Sequence, residues 1–189
     1  MKVAFLATDM VEQVELTEPW KAVEGEGWEP ELVSIRPGKI QAAKHFDKAD
    51  SFPVDRTLDE ADASEYDALV IPGGVANPDE MRTHGDAVLF VRRFFEQQKP
   101  VASICHGPWM LVEADVLRDR RLTSWPSLRT DIRNAGGEWT DEPVVTDRGL
   151  ITSRKPDDLD AFCSSLVEEL REGRRSDREL RAMGTPEAS

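Results

Sequence analysis

The sequence predicts an α/β fold: a doubly wound, mostly parallel central sheet with helices on both faces. Three observations lead there. Short apolar runs at residues 3–7, 68–71 and 101–104 have the length and composition of buried strands. Each is followed by a loop and then by a helical pattern, the alternation that joins parallel strands through covering helices. At 189 residues the chain can bury one sizeable core, and its longest apolar runs are five residues, far short of a membrane span.

Taken in order, residues 3–7 make the first strand and run straight into Thr8-Asp9-Met10. Leu16, Trp20 and Val23 share one face of a helix over about 12–26, in which Pro19 implies a kink or a late start and Gly25 and Gly27 the stop. Residues 29–35 alternate like a strand, and Pro37-Gly38 is a turn signal. The polar stretch to Phe52 reads as a hairpin or extended excursion. After the strand at 68–71 comes Pro72-Gly73-Gly74, then a helix start with Asn77 as N-cap and Pro78 at the first helical position. Residues 86–98 form an amphipathic helix carrying Val88, Val91, Phe94 and Phe95. Beyond the strand at 101–104 and its helix, residues 122–125 read as a strand and 126–134 as a helix ended by Gly136-Gly137. Residues 144–146 and 150–152 flank Asp147-Arg148-Gly149, a hairpin with a turn glycine. A last helix covers 156–171, with Cys163 on its apolar stripe and therefore read as packing. The organisation expected is one domain over 1–171 and a loosely held charged tail over 172–189.

Composition narrows the function classes. With 37 acidic against 24 basic residues the net charge is −13, a surface that repels nucleic-acid phosphates. The excess of arginine over lysine, 17 to 7, fits either a salt-rich cytoplasm or an acidic protein from a GC-rich genome. Two cysteines do not make a disulfide framework, and Met-Lys leads directly into a strand. The expected setting is therefore cytoplasmic and reducing, without membrane or nucleic-acid partners.

The stretch from Val101 to Pro108 organises the chemistry. Cys105 follows a buried strand and precedes a helix, the strand-to-helix elbow that presents a nucleophile at the top of a sheet. Such a turn would push the thiol out, and the helix terminus would favour thiolate. The alternative is a buried structural cysteine. Gly73 and Gly74 allow close backbone approach and, with Gly107 and the amide after Cys105, could form an oxyanion or substrate-binding hole, although most such glycine pairs are turns. Glu15, near the first helix start, could share a proton with the thiol, or it could be a solvated first-turn glutamate. His45, His84 and His106 are the histidines, so none lies in a late loop. If imidazole assists Cys105, His106 supplies it and needs an orienting carboxylate.

These residues carry a family resemblance. Met1-Lys2-Val3, Val14-Glu15-Leu16, Ile71-Pro72-Gly73-Gly74 and Ile104-Cys105-His106-Gly107-Pro108 resemble the motifs of PfpI-type intracellular peptidases in the DJ-1/PfpI superfamily. Thr123-Ser124-Trp125-Pro126, Asn134-Ala135-Gly136 and Ser153-Arg154 fit as well, and the likeness spans roughly residues 1–170. The resemblance implies a flavodoxin-like sandwich with Cys105 as nucleophile, His106 beside it, and Glu15 buffering the thiol. It further implies a homodimer or higher oligomer in which a neighbour's carboxylate completes the triad; the matching position is Asp79, in a loop with one extra residue. Neither a metal nor a cofactor is implied. Three readings follow: a cysteine hydrolase of the PfpI peptidase type acting on peptides, a cofactor-independent glyoxalase or deglycase acting on small 2-oxoaldehydes such as methylglyoxal, and a non-enzymatic redox sensor or holdase in stress response.

Overall fold

The computed structural model describes residues 1–183, with side chains through 173. Strand β1 (Lys2–Leu6) feeds helix α1 (Gln13–Gly25), and β2 (Glu29–Ser34) returns beside β1. The polar excursion is a hairpin of β3 (Lys39–Lys44) and β4 (Asp47–Pro53), followed by the short edge strand β5 (Arg56–Thr57). Then come β6 (Ala68–Ile71), α2 (Ala76–Met81), α3 (Gly85–Glu96), β7 (Val101–Ile104) and α4 (Trp109–Glu113). The chain continues through β8 (Arg121–Leu122), α5 (Arg129–Asn134), β9 (Glu138–Trp139), β10 (Val144–Asp147), β11 (Leu150–Ser153) and α6 (Leu159–Met183).

Seven strands form the central sheet in the order β10-β11-β7-β6-β1-β2-β5. Every pairing is parallel except the β10–β11 hairpin at one edge. Alternate residues of the central strands serve two cores. Leu6, Leu69, Ile71 and Val101 face Phe90, Phe94 and Met110, while Phe5, Val70, Ile104 and Ile151 face Leu16, Phe162 and Leu166. The strands read as continuous apolar runs because both faces are covered.

Several local expectations change. α1 passes through Pro19 without a late start. Asn77 is not an N-cap: α2 begins at Ala76 after Val75, and the buried Asn77 amide accepts from Thr8 N at 2.7 Å and donates to the carbonyls of Pro72 and Gly73 at 3.1 and 3.0 Å. It thereby ties the loop after β1 to the loop after β6. The strand expected at 122–125 shrinks to β8, which pairs in parallel with β9. α6 continues past Arg171 to Met183, because the residues beyond 171 lack a strong helix breaker apart from Gly173. Of the tail expected at 172–189, residues 184–189 lie outside the described residues.

Candidate active site

The carboxyl ends of β1, β6 and β7 bring together Glu15, Gly73, Gly74, Cys105, His106 and Gly107. Cys105 adopts φ 61°, the left-handed conformation of a strained elbow. Its N–H donates to Ser153 O at 3.0 Å, and its carbonyl accepts from Trp125 N at 2.9 Å, so the turn is held by the two segments that flank it. Contrary to the expectation from the elbow, the thiol is not pushed into the open: Cys105 is 7% exposed, beneath the loop after β6.

That loop is close because Gly73 has no side chain. A Cβ there would lie 2.5 Å from Glu15 Oε2, 2.7 Å from Cys105 Cβ and 2.9 Å from His106 N. Gly73 N–H donates to Glu15 Oε2 at 2.8 Å. Gly74, at φ 79°, is equally confined, with Met10 O at 2.5 Å from a Cβ position. Gly107 is tightly packed in the turn: its N–H donates to Ile104 O at 2.9 Å, and a Cβ would meet Ile71 O at 2.5 Å and Ser103 Oγ at 2.6 Å. The amides of Gly73 and Gly107 are engaged, while those of His106 and Gly74 lie close enough to the sulfur to favour its charged form, Gly74 acting on Glu15 as well.

Glu15 is fully buried, and desolvation raises its carboxyl to about 8 despite the Gly73 hydrogen bond. Burial, and then the adjacent Glu15 charge, push the Cys105 thiol up as well. This reverses the expected lowering by the helix terminus, because α4 starts only at Trp109 and cannot offset removal from water. The pair therefore loses its first proton near 8 and carries one negative charge between sulfur and carboxyl thereafter. Glu15 Oε1 has no hydrogen-bond partner among the described residues, which leaves it available for a proton at the thiol.

His106 Nδ1 lies 3.2 Å from Cys105 Sγ. Burial lowers the imidazole to about 4, so it is neutral at pH 7. Its Nε2 faces Ser127 Oγ at 3.4 Å, and its ring packs between Trp125, stacked at 5.9 Å, and Trp109, edge-on at 5.3 Å. Ser127 and the two tryptophans were not assigned roles from sequence; Trp125-Pro126 was a motif without a task. Asp79 is exposed at the start of α2 and has no ion pair or hydrogen bond to its side chain among the described residues, so a single chain does not join it to His106. His45 and His84 are both exposed. Cys163 is partly buried on α6, away from this cluster, in keeping with its packing stripe.

Comparison with known proteins agrees with this fold. The DJ-1/PfpI family profile matches residues 1–169. The chain belongs to the DJ-1/PfpI family. It is 44% identical to deglycase PH1704 of Pyrococcus horikoshii over 171 residues, covering 90% of this chain and 100% of that one. It is 40% identical to the putative cysteine protease YraA of Bacillus subtilis over 161 residues, covering 85% and 93% of the two chains. Among solved structures, the DJ-1/ThiJ/PfpI-like part of a two-domain protein from Anabaena variabilis superposes with a TM-score of 0.85 at 40% identity, covering 89% of this chain and 48% of that one. The DJ-1 protein of Schizosaccharomyces pombe shares the fold, with a TM-score of 0.81 at 21% identity over 98% of this chain and 100% of that one.

Proposed function

We propose that this DJ-1/PfpI protein is a cysteine-dependent hydrolase whose thiol adds to a small carbonyl compound, a 2-oxoaldehyde or its adduct, with Glu15 moving the proton. The observation that carries this reading is the buried Cys105–Glu15 pair, complete within one chain, with its first ionisation at about 8. The relatives named deglycases support the substrate class.

Above about 8 the carboxyl is ionised and the thiol keeps the pair's one proton; in the reactive form the Glu15 carboxylate has taken that proton, which leaves the negative charge on sulfur. Sγ attacks the aldehyde carbon, a C–S bond forms, and the carbonyl oxygen becomes an oxyanion facing the amides of Gly74 and His106. Glu15 protonates that oxygen to give a hemithioacetal. The resulting carboxylate removes the C–H proton of the same carbon and returns it at the neighbouring carbonyl carbon. One carbon is oxidised as its neighbour is reduced, which leaves a thioester. Water cleaves the thioester to a 2-hydroxy acid and restores the thiol, so the reaction consumes one water and no external oxidant. A buried, 7% exposed thiol suits a small electrophile.

Peptide hydrolysis is the second reading, favoured by one observation: His106 Nε2 faces a hydroxyl at 3.4 Å and no carboxylate, while Asp79 stands exposed nearby in sequence after Gly74. In a homo-oligomer a neighbour's Asp79 would complete a Cys105–His106–Asp79 triad. Parallel assays separate the two. Methylglyoxal consumption is expected to vanish in Cys105→Ala, fall ~10²–10⁴-fold in Glu15→Gln, and stay within a few-fold of wild type in Asp79→Ala. Methylglyoxal turnover that survives Cys105→Ala would overturn the carbonyl reading. Peptide cleavage abolished by Asp79→Ala, with no methylglyoxal turnover in any form, would replace it by the triad.

A further inference from the structure

At the opposite end of the sheet from Cys105, a recess of about 330 Å³ is lined by Phe95, Gln98, Lys99, Arg120, Arg148 and Gly149. It lies at the amino ends of β7 and β11, where Lys99 and Gly149 precede the two strands. Three cations line it and no carboxylate does, on a chain of net charge −13. Arg120 spends Nη1 on the carbonyls of Asp147 and Arg148, both at 3.2 Å, and lays its guanidinium over the Phe95 ring at 5.1 Å. Arg148 donates to Asp119 O at 2.5 Å and pairs with its neighbour Asp147 at 3.3 Å. Lys99 Nζ donates to Ala63 O at 2.8 Å.

Arg120 and Lys99 donate to neutral carbonyls, and neither forms a salt bridge among the described residues, although Asp62 and Asp67 lie close enough to act on Lys99 and Asp147 on Arg120. Arg120 Nε and Nη2 and Arg148 Nη1 remain without partners among the described residues. Desolvation and the facing Arg148 hold the Arg120 guanidinium below its ordinary value, which is the strain that a bound anion relieves. Asp147 is the carboxylate nearest the two arginines, and it is turned to Arg148 Nε and Arg121 N. Glu169 reaches toward Gly149 from α6 without pairing with either arginine.

We propose that this recess binds a phosphate-class oxyanion, either free phosphate or diphosphate or the phosphoryl group of a small metabolite. Two guanidinium groups with free N–H donors match the several oxygens of a phosphoryl group, and a nearby lysine adds a third charge. The volume fits one or two phosphoryl groups, and the acidic surface around it disfavours a polyanion such as nucleic acid.

The test is thermal unfolding of the full chain with inorganic phosphate, diphosphate and glycerol phosphate, each titrated at constant ionic strength against chloride and acetate. At ten times the dissociation constant, an oxyanion that binds the folded chain raises Tm by about 3–6 °C, saturably. A response to the phosphate ester but not to free phosphate identifies a metabolite as the source, and the reverse identifies the free anion. Arg148→Gln, on an exposed turn, is expected to weaken the response at least ~10-fold while leaving carbonyl turnover unchanged. Arg120→Gln should abolish the response, provided it folds. Equal shifts with chloride or acetate, no saturable shift, or an Arg148→Gln variant that responds like wild type would overturn the proposal.

Discussion

Glu15 is the residue on which the site's pH behaviour turns. Its carboxyl is fully buried and raised from 4.5 to about 8. Between those values the folded chain keeps a proton that the unfolded chain has released. Stability is therefore highest below 4.5 as far as this group is concerned, falls as pH rises toward 8, and levels above it. The full cost is on the order of 5 kcal/mol. Glu15→Gln should remove it, raising Tm at pH 8 and leaving Tm near wild type at pH 4; an equal shift at both pH values would contradict the assignment. His106 runs the other way. Held near 4 in the fold, it contributes stability above its unfolded value, lost as pH falls through 6.5 toward 4. The two thiols also part company here. Burial pushes both thiols up, but once the Glu15 carboxyl ionises near 8 it can take the Cys105 proton as an electrophile is attacked, whereas Cys163 has no hydrogen bond to a carboxylate among the described residues. At pH 8 iodoacetamide should therefore modify Cys105 well before Cys163, although Cys105 is the more buried. Peptide mapping after brief labelling checks this, and preferential labelling of Cys163 would contradict it.

At the scale of elements, the elbow between β7 and α4 works because its glycines are missing side chains. A methyl at Gly107 would press on Ile71 O and Ile104 O, which belong to paired strands and cannot move cheaply. Gly107→Ala should cost about 2 kcal/mol or more, read as a fall in Tm of about 4–8 °C. Gly73→Ala should damage chemistry as well, since its methyl would displace Glu15 and Cys105 themselves. Lost turnover together with a lowered Tm is the expected outcome, because the methyl also meets the His106 backbone N. The glycines and the elbow were legible in the sequence as punctuation after apolar runs. The uses of the individual amides were not: Gly73 serves Glu15 and Gly107 serves Ile104, assignments that depend on three-dimensional approach. Likewise β1, β6 and β7 declare themselves by three or four apolar residues. β5, β8 and β9 have two residues each, too few for any period to register. Asn77 was misplaced because a buried amide bridging two loops and an N-cap have the same sequence signature.

The whole molecule carries a charge of −13, and self-repulsion of that surface opposes the compact state. Raising NaCl from about 0.05 M to 1 M shortens the screening length to roughly 3 Å. Tm should rise over that range, and a flat or falling Tm would show that the carboxylates are locally compensated. No helix among the described residues is long and apolar enough to cross a membrane. The fold class was legible because parallel sheets impose strand–helix alternation on the whole chain. The candidate site was legible in its members, Cys105, His106, Glu15 and the two loop glycines, but not in its electrostatics. Burial of the thiol, invisible along the sequence, reversed the expected lowering by the helix terminus.

The shared proton of Cys105 and Glu15 is best tested by the pH dependence of Cys105 alkylation between pH 5 and 10, in wild type and in Glu15→Gln. Wild type is expected to show a rate that rises through an inflection near 8, the first ionisation of the pair. In Glu15→Gln that inflection should be gone, with the fold retained and no loss of Tm. Superimposable profiles for the two proteins would contradict the account.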